Sequence, residues 1–284
     1  MPSTRHGATA GASRWSDVID AHLHVWGGEL LDVAWLTDER ACSLRRPFLL
    51  DEATAMLRAE GITSAVAVTA DESDAGSALL LARCHGRDEI AAVVGWTDLT
   101  DLDVGARLDA LQTGAGGGTL RGVRHVALSR DAIDATALEP GVRALQERGL
   151  VLELLVDEPA LSSVAGLCRA APELDVVVDH LGSPTAAEGA WQDAVTQLAR
   201  HPRAHLKVSG AVVHTPRMPQ LLAIARARFG AERLLAGTNW PIHTLSPGAG
   251  PWRRLQAATR RWNDHERTAL FGASAARVYG VTTP

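Results

Sequence analysis

The chain of 284 residues carries 28 Lys and Arg against 33 Asp and Glu, for a formal charge of −5, with 46% hydrophobic and 21% charged residues. That balance excludes a disordered tail protein, a collagen-like fibre and a basic arm for nucleic acid. No apolar run approaches the roughly 18 residues of a membrane-spanning helix, and Cys42, Cys84 and Cys168 are too scattered for a disulfide framework or a CxxC metal knuckle.

Residues 1–16, MPSTRHGATAGASRWS, hold no apolar block that could serve as a secretory signal and read as a disordered leader before a domain over 17–284. With unpaired cysteines, the expected location is the cytoplasm. From there strands and helices alternate. Strands are predicted at 18–26, 62–70, 90–99, 120–128, 150–157, 174–182, 204–212 and 233–241. Helices are predicted at 51–60, 74–85, 103–113, 138–148, 161–171, 190–200 and 217–229, then at 251–263 and 267–278. Continuous Val, Leu and Ile runs mark strands buried on both faces, and their alternation with helices implies parallel crossover units. Eight such units predict an α/β fold, a single-domain (β/α)8 TIM barrel with an extra C-terminal helix.

In a barrel of this kind the chemistry lies at the C-terminal ends of the strands. Strand one ends His22-Leu-His24, and this i, i+2 spacing puts both imidazoles on one face, as a zinc-like divalent metal requires. Strand six adds His180 after a Val-Val-Val run. Strand four ends Arg124-His125, donors suited to a carboxylate or an oxyanion. Glu153 and Lys207 interrupt the apolar strands five and seven, and each needs either a partner or a task. They either pair across the barrel or hold substrate.

The segments DAHLHVW, GWTDL, GVRH, ELLV, DHLGSP, KVSG, GTNWP and FGASAARVYG occur in one order over about residues 17–281. In this set the chain resembles the amidohydrolase superfamily, and within it the amidohydrolase-related (amidohydrolase 2) branch of sugar-acid lactonases and 2-pyrone-4,6-dicarboxylate lactonase. The resemblance implies a catalytic core of His22, His24 and His180, with one zinc-like ion bound there in some members and metal-independent action in others. It also implies a proton-shuttling aspartate in a GSDWP-type motif. Here that motif reads Gly237-Thr238-Asn239-Trp240-Pro241. An amide has no basic site near neutral pH, although it can still hydrogen-bond a substrate. Asn239 is thus an engineered replacement in an ordinary hydrolase, a natural feature of chemistry that needs no such carboxylate, or the mark of a binding protein without turnover.

The reading expected from this pattern is a hydrolase that opens a small lactone or related cyclic ester or amide. Its alternatives are a non-hydrolytic decarboxylase, lyase, isomerase or cyclase on the same barrel, and a ligand-binding protein. Asn239, His180, Lys207 and His243 are the candidate catalytic residues, His243 because its imidazole lies four residues after Asn239. Arg124, His125, Glu153 and Arg46 are candidates for holding a substrate that is cyclic and, from its arginines, acidic. Of 8 Trp against 3 Phe and 1 Tyr, Trp26, Trp96 and Trp240 fall at predicted strand ends and suggest a flat apolar rim. The net negative charge argues against nucleic acid, no membrane association is expected, and a homo-oligomer is compatible with the pattern.

Overall fold

The computed structural model describes residues 18–27, 36, 39–128, 133–187, 189–246, 248 and 250–281. The expected leader lies outside these residues. Eight parallel strands pair in sequence order: β1 (Ile19–Leu23), β2 (Ser64–Val68), β3 (Ile90–Gly95), β4 (Leu120–Ala127), β5 (Val151–Val156), β6 (Val176–Val178), β7 (Ala204–Val208) and β8 (Leu234–Ala236). Between them run α1 (Leu50–Glu60), α2 (Asp74–Cys84), α3 (Val104–Thr113), α4 (Glu139–Arg148), α5 (Glu158–Ala170), α6 (Ala190–Leu198) and α7 (Met218–Phe229), and α8 (Pro251–Ala258), α9 (Asp264–Thr268) and α10 (Ser274–Val278) follow. This is the (β/α)8 barrel that the alternation predicts. Among the described residues no helix is long and apolar enough to cross a membrane.

Inward-facing Ile19, Val66, Val94, Val177 and Leu235 form one apolar cluster with Ala275, Val278 and Tyr279, so α10 packs against the barrel interior. A second, larger cluster fills the layer between strands and helices, where Cys84 and Cys168 are buried as expected. Burial pushes both thiols up to about 12, which leaves them inert at neutral pH.

The differences from the predicted boundaries fall at the mouth. β6 stops at Val178, and residues 179–182 turn sharply, with His180 and Leu181 at φ 54° and 57°. Trp191 Nε1 fixes the turn by donating to the Leu181 carbonyl at 2.7 Å. β8 is likewise short: Gly237 N–H still donates to the Val208 carbonyl, but Thr238 turns to the Asp20 carboxylate and Asn239 N–H to the His22 carbonyl of β1. The last predicted helix is broken: α9 begins at an Asn263–Glu266 capping box and passes through one π turn, Ala269–Ala273, into α10.

Between β8 and β1 the barrel closes by few contacts. Asn239 N–H donates to the His22 carbonyl at 2.8 Å, and His24 N–H to the Trp240 carbonyl at 2.7 Å. Asp20 supplies the rest. Its carboxylate accepts from His22 N–H at 3.0 Å, from Thr238 N–H at 2.8 Å and from the Thr238 hydroxyl at 2.5 Å. Burial raises the Asp20 carboxyl to about 6, while these hydrogen bonds pull it down.

Candidate active site

Alternation along β1 turns His22 and His24 to the same side, and both are buried. Their Nε2 atoms stand 3.0 Å apart. The Nδ1 of His24 lies 2.8 Å from the Val68 carbonyl, an acceptor only, so this nitrogen carries the proton and Nε2 presents a lone pair. His22 Nδ1 faces Lys207 Nζ at 3.1 Å and Asp179 Oδ1 at 3.3 Å. The tight turn after β6 brings in the His180 ring, whose centroid is 4.7 Å from that of His22 and whose Nδ1 meets the Ser209 hydroxyl at 2.8 Å. Gly210 makes room for it. Its φ is +74°, and a Cβ there would stand 2.7 Å from His180 Cγ.

A buried charge network lies beneath the imidazoles. Lys207 Nζ contacts Glu153 Oε2 at 2.5 Å and Asp179 Oδ1 at 3.5 Å. Arg124 Nε donates to Asp179 Oδ2 at 3.1 Å, and Tyr279 OH donates to Glu153 Oε1 at 2.6 Å. Glu153 and Lys207 therefore do pair across the barrel, but within a larger set. Two cations against two carboxylates leave the network balanced, as such burial requires. Although burial opposes it, the cationic neighbours hold Asp179 well below the usual carboxylate range. Burial pushes Glu153 up, to about 7, against the pull of Lys207. It lowers His24 to about 3 and His180 to about 4, and holds His22 well below its ordinary value. At neutral pH the three imidazoles are neutral, with lone pairs available as metal ligands.

Above them opens a cavity of about 400 Å3. His24, Thr69, Arg124, His180 and Asn239 line its polar part, and Trp96, Val126, Leu128, Leu155, Ala211 and Ile242 its apolar part. Asn239 adopts φ 54°, a left-handed conformation that asparagine tolerates better than most residues, and its buried Oδ1 has no hydrogen-bond partner among the described residues.

Of the residues singled out from the sequence, His22, His24, His180, Arg124, Glu153, Lys207 and Asn239 meet at one centre. Only some reach the cavity: Glu153 and Lys207 are fully buried below it and bonded to each other. His125 follows Arg124 on β4 and so faces away, towards Asp98, which acts on its titration. Arg46 lies outside the cavity, ion-paired to Glu52 at 2.8 Å with its guanidinium 3.6 Å over the Phe48 ring. Of the expected tryptophan rim only Trp96 lines the cavity. Trp26 donates to the Leu44 and Arg46 carbonyls and packs with Trp240 around Phe48, so both indoles support the mouth from behind. Asp179, the group that links three basic side chains, went unassigned in the sequence. The signal for it was a carboxylate directly after Val-Val-Val and before His180.

His243 does not line the cavity either. Burial first, and His214 second, lower it to about 4. A histidine whose folded pKa lies below its unfolded 6.5 contributes stability that is present above pH 6.5 and lost as pH falls towards 4. The His243→Gln variant is therefore expected to lose less Tm than the parent between pH 7.5 and pH 5, measured by calorimetry in matched buffers.

The comparisons with known proteins establish the family. The model of the Amidohydrolase family (Amidohydro_2) matches residues 19–281, almost all of the described chain. The chain belongs to the amidohydrolase family. This amidohydrolase is 30% identical over 283 residues to an L-fucono-1,5-lactonase of Burkholderia ambifaria, covering 94% of this chain and 96% of the relative. An L-fucono-1,5-lactonase of Burkholderia multivorans is also 30% identical, over 294 residues. Among solved structures, an amidohydrolase from Burkholderia multivorans with bound zinc superposes at a TM-score of 0.83 with 29% identity, covering 94% of this chain and 100% of that one.

The donors here suit such an ion. His22, Asp179 and His180 each offer an atom within 4.8 Å of the others, and His24 presents its Nε2 beside that of His22. Two neutral imidazole nitrogens and a carboxylate are an ordinary zinc donor set, and Asp179 Oδ1 accepts no hydrogen bond of its own.

Proposed function

We propose that this amidohydrolase opens a lactone ring by hydrolysis. The observation that carries the reading is the gathering of His24, His180, Arg124 and Asn239 at the polar end of one cavity, with His22 directly behind His24. The L-fucono-1,5-lactonases that the chain resembles along nearly its whole length support it. Water adds to the acyl carbon, the ring carbon–oxygen bond breaks, and the proton released by the water passes to the ring oxygen. The product is an open hydroxy acid.

His22, His24 and Asp179 would hold a divalent ion, whose chemistry is to polarise the carbonyl and acidify a bound water. Arg124, a donor fixed by Asp179 and by the Thr69 carbonyl at 3.3 Å, stabilises the negative charge that develops on the carbonyl oxygen. His180, anchored through Nδ1 on Ser209, moves the proton from water to the leaving oxygen with its other nitrogen. Asn239 orients the attacking water through its otherwise unpartnered Oδ1 and cannot itself take the proton.

Restoring a carboxylate at this position supplies a stronger proton acceptor. In assays on a panel of five- and six-membered lactones, the parent is expected to hydrolyse at least one, and Asn239→Asp to raise kcat by about 10²-fold, the low end of what general-base catalysis contributes. If neither form opens any lactone, the reading is wrong.

A further inference from the structure

Beyond its floor, most of the described lining of the cavity is apolar. From the floor of His24, Arg124, His180 and Asn239 it rises along Val126, Leu128, Leu155 and Ile242, with Trp96 at the side and Asp71 and Glu72 also in its lining. Leu128 stands half exposed at the mouth. The volume of about 400 Å3 falls in the range that takes a ligand larger than a bare six-membered ring.

The polar groups nearby are largely committed. Arg124 bonds Asp179 and the Thr69 carbonyl. The Thr69 hydroxyl donates to the Asp71 carbonyl and accepts from Asp71 N–H, and His24 bonds through both ring nitrogens. A sugar lactone would bring a hydroxyl on most of its ring carbons. Hydroxyls lying against Val126, Leu155 and Ile242 would be desolvated without partners, and only those that reach Asp71, Glu72 or Asn239 would find an acceptor, so a densely hydroxylated ring loses more than it gains by burial. An anionic substituent would meet the carboxylates of Asp71 and Glu72.

We infer that the substrate class of this site is the uncharged lactone bearing an aliphatic side chain, with the ester at the His180–Arg124 floor and the chain along Val126, Leu128, Leu155 and Ile242. This rests on the hydrolase reading above and departs from the acidic substrate that the arginines suggest in the sequence. The step is the same hydrolysis: water gives its hydroxyl to the acyl carbon and a proton to the ring oxygen.

The test is kcat/KM for zinc-supplemented enzyme on a series of δ-lactones from δ-hexalactone to δ-decalactone, with L-fucono-1,5-lactone as the hydroxylated comparison. Burial of each added methylene is expected to raise kcat/KM about threefold to fourfold, and the sugar lactone to be about 100-fold poorer than δ-decalactone. Leu128→Ser is expected to lower kcat/KM more for δ-decalactone than for δ-hexalactone. A flat series, an equal fall for both substrates in that variant, or a sugar lactone turned over best overturns the inference and leaves the hydrolase reading standing. Turnover of none of these, nor of any other lactone, overturns both.

Discussion

Replacement of Lys207 by methionine is expected to cost about 3–5 kcal/mol of stability, the usual result of removing one partner from a buried ionic network. Lys207 is fully buried, and its ammonium lies against Glu153, Asp179 and His22. Without it two carboxylates face the single guanidinium of Arg124, and Glu153 keeps only the Tyr279 hydroxyl. Thermal unfolding of the variant should begin roughly 10 °C lower. Adding Glu153→Gln removes one uncompensated charge, so the double variant should melt above the single one. Equal melting of parent and Lys207→Met would mean that the pairing contributes nothing.

The second large effect is on turnover. His180→Ala removes the one imidazole at the cavity floor that is not tied by both ring nitrogens among the described contacts, and kcat on any lactone substrate is expected to fall about 10²–10⁴-fold. KM should change far less, because the apolar wall is intact. A loss confined to KM would make His180 a binding group only. Gly210→Ala approaches the same defect without touching the histidine: the new methyl would stand 2.7 Å from His180 Cγ and force the ring from its place on Ser209. A Gly210→Ala variant that folds and keeps full activity would show that the ring position is not critical.

Much of this centre was legible in the sequence, for a simple physical reason. His22, His24, His180, Glu153 and Lys207 interrupt runs of aliphatic residues, and a polar group inside a buried strand must have either a partner or a function. The barrel followed from the same runs, because eight strands buried on both faces admit few architectures. Side-chain direction at the mouth was not legible. Trp26 and Trp240 are close in sequence to the imidazoles but turn towards Phe48, because the Trp26 indole N–H finds its acceptors in the carbonyls of Leu44 and Arg46. Arg46 was assigned to an anionic ligand, and a neighbouring helix already held its partner, Glu52. Tyr279 was out of reach for another reason. Nothing in local sequence says that the last helix packs into the barrel and reaches Glu153.

The sparse seam between β8 and β1 has a consequence for how the barrel opens. Elsewhere neighbouring strands are held by runs of paired backbone, whereas here closure rests on Asp20, two backbone hydrogen bonds, the Leu23–Trp240 bridge and the packing of residues 269–278 against both strands. The seam also divides the active site, with His22 and His24 on one side and Asn239 on the other. A partial opening along this line would part the two halves while the remaining strand pairs stay closed. The amide protons of His24 and Asn239 should then exchange with solvent through that local event, ahead of those in the centre of β4 and β5. Such an opening would stop catalysis without unfolding the barrel, so activity in this protein has its own, lower ceiling of stability.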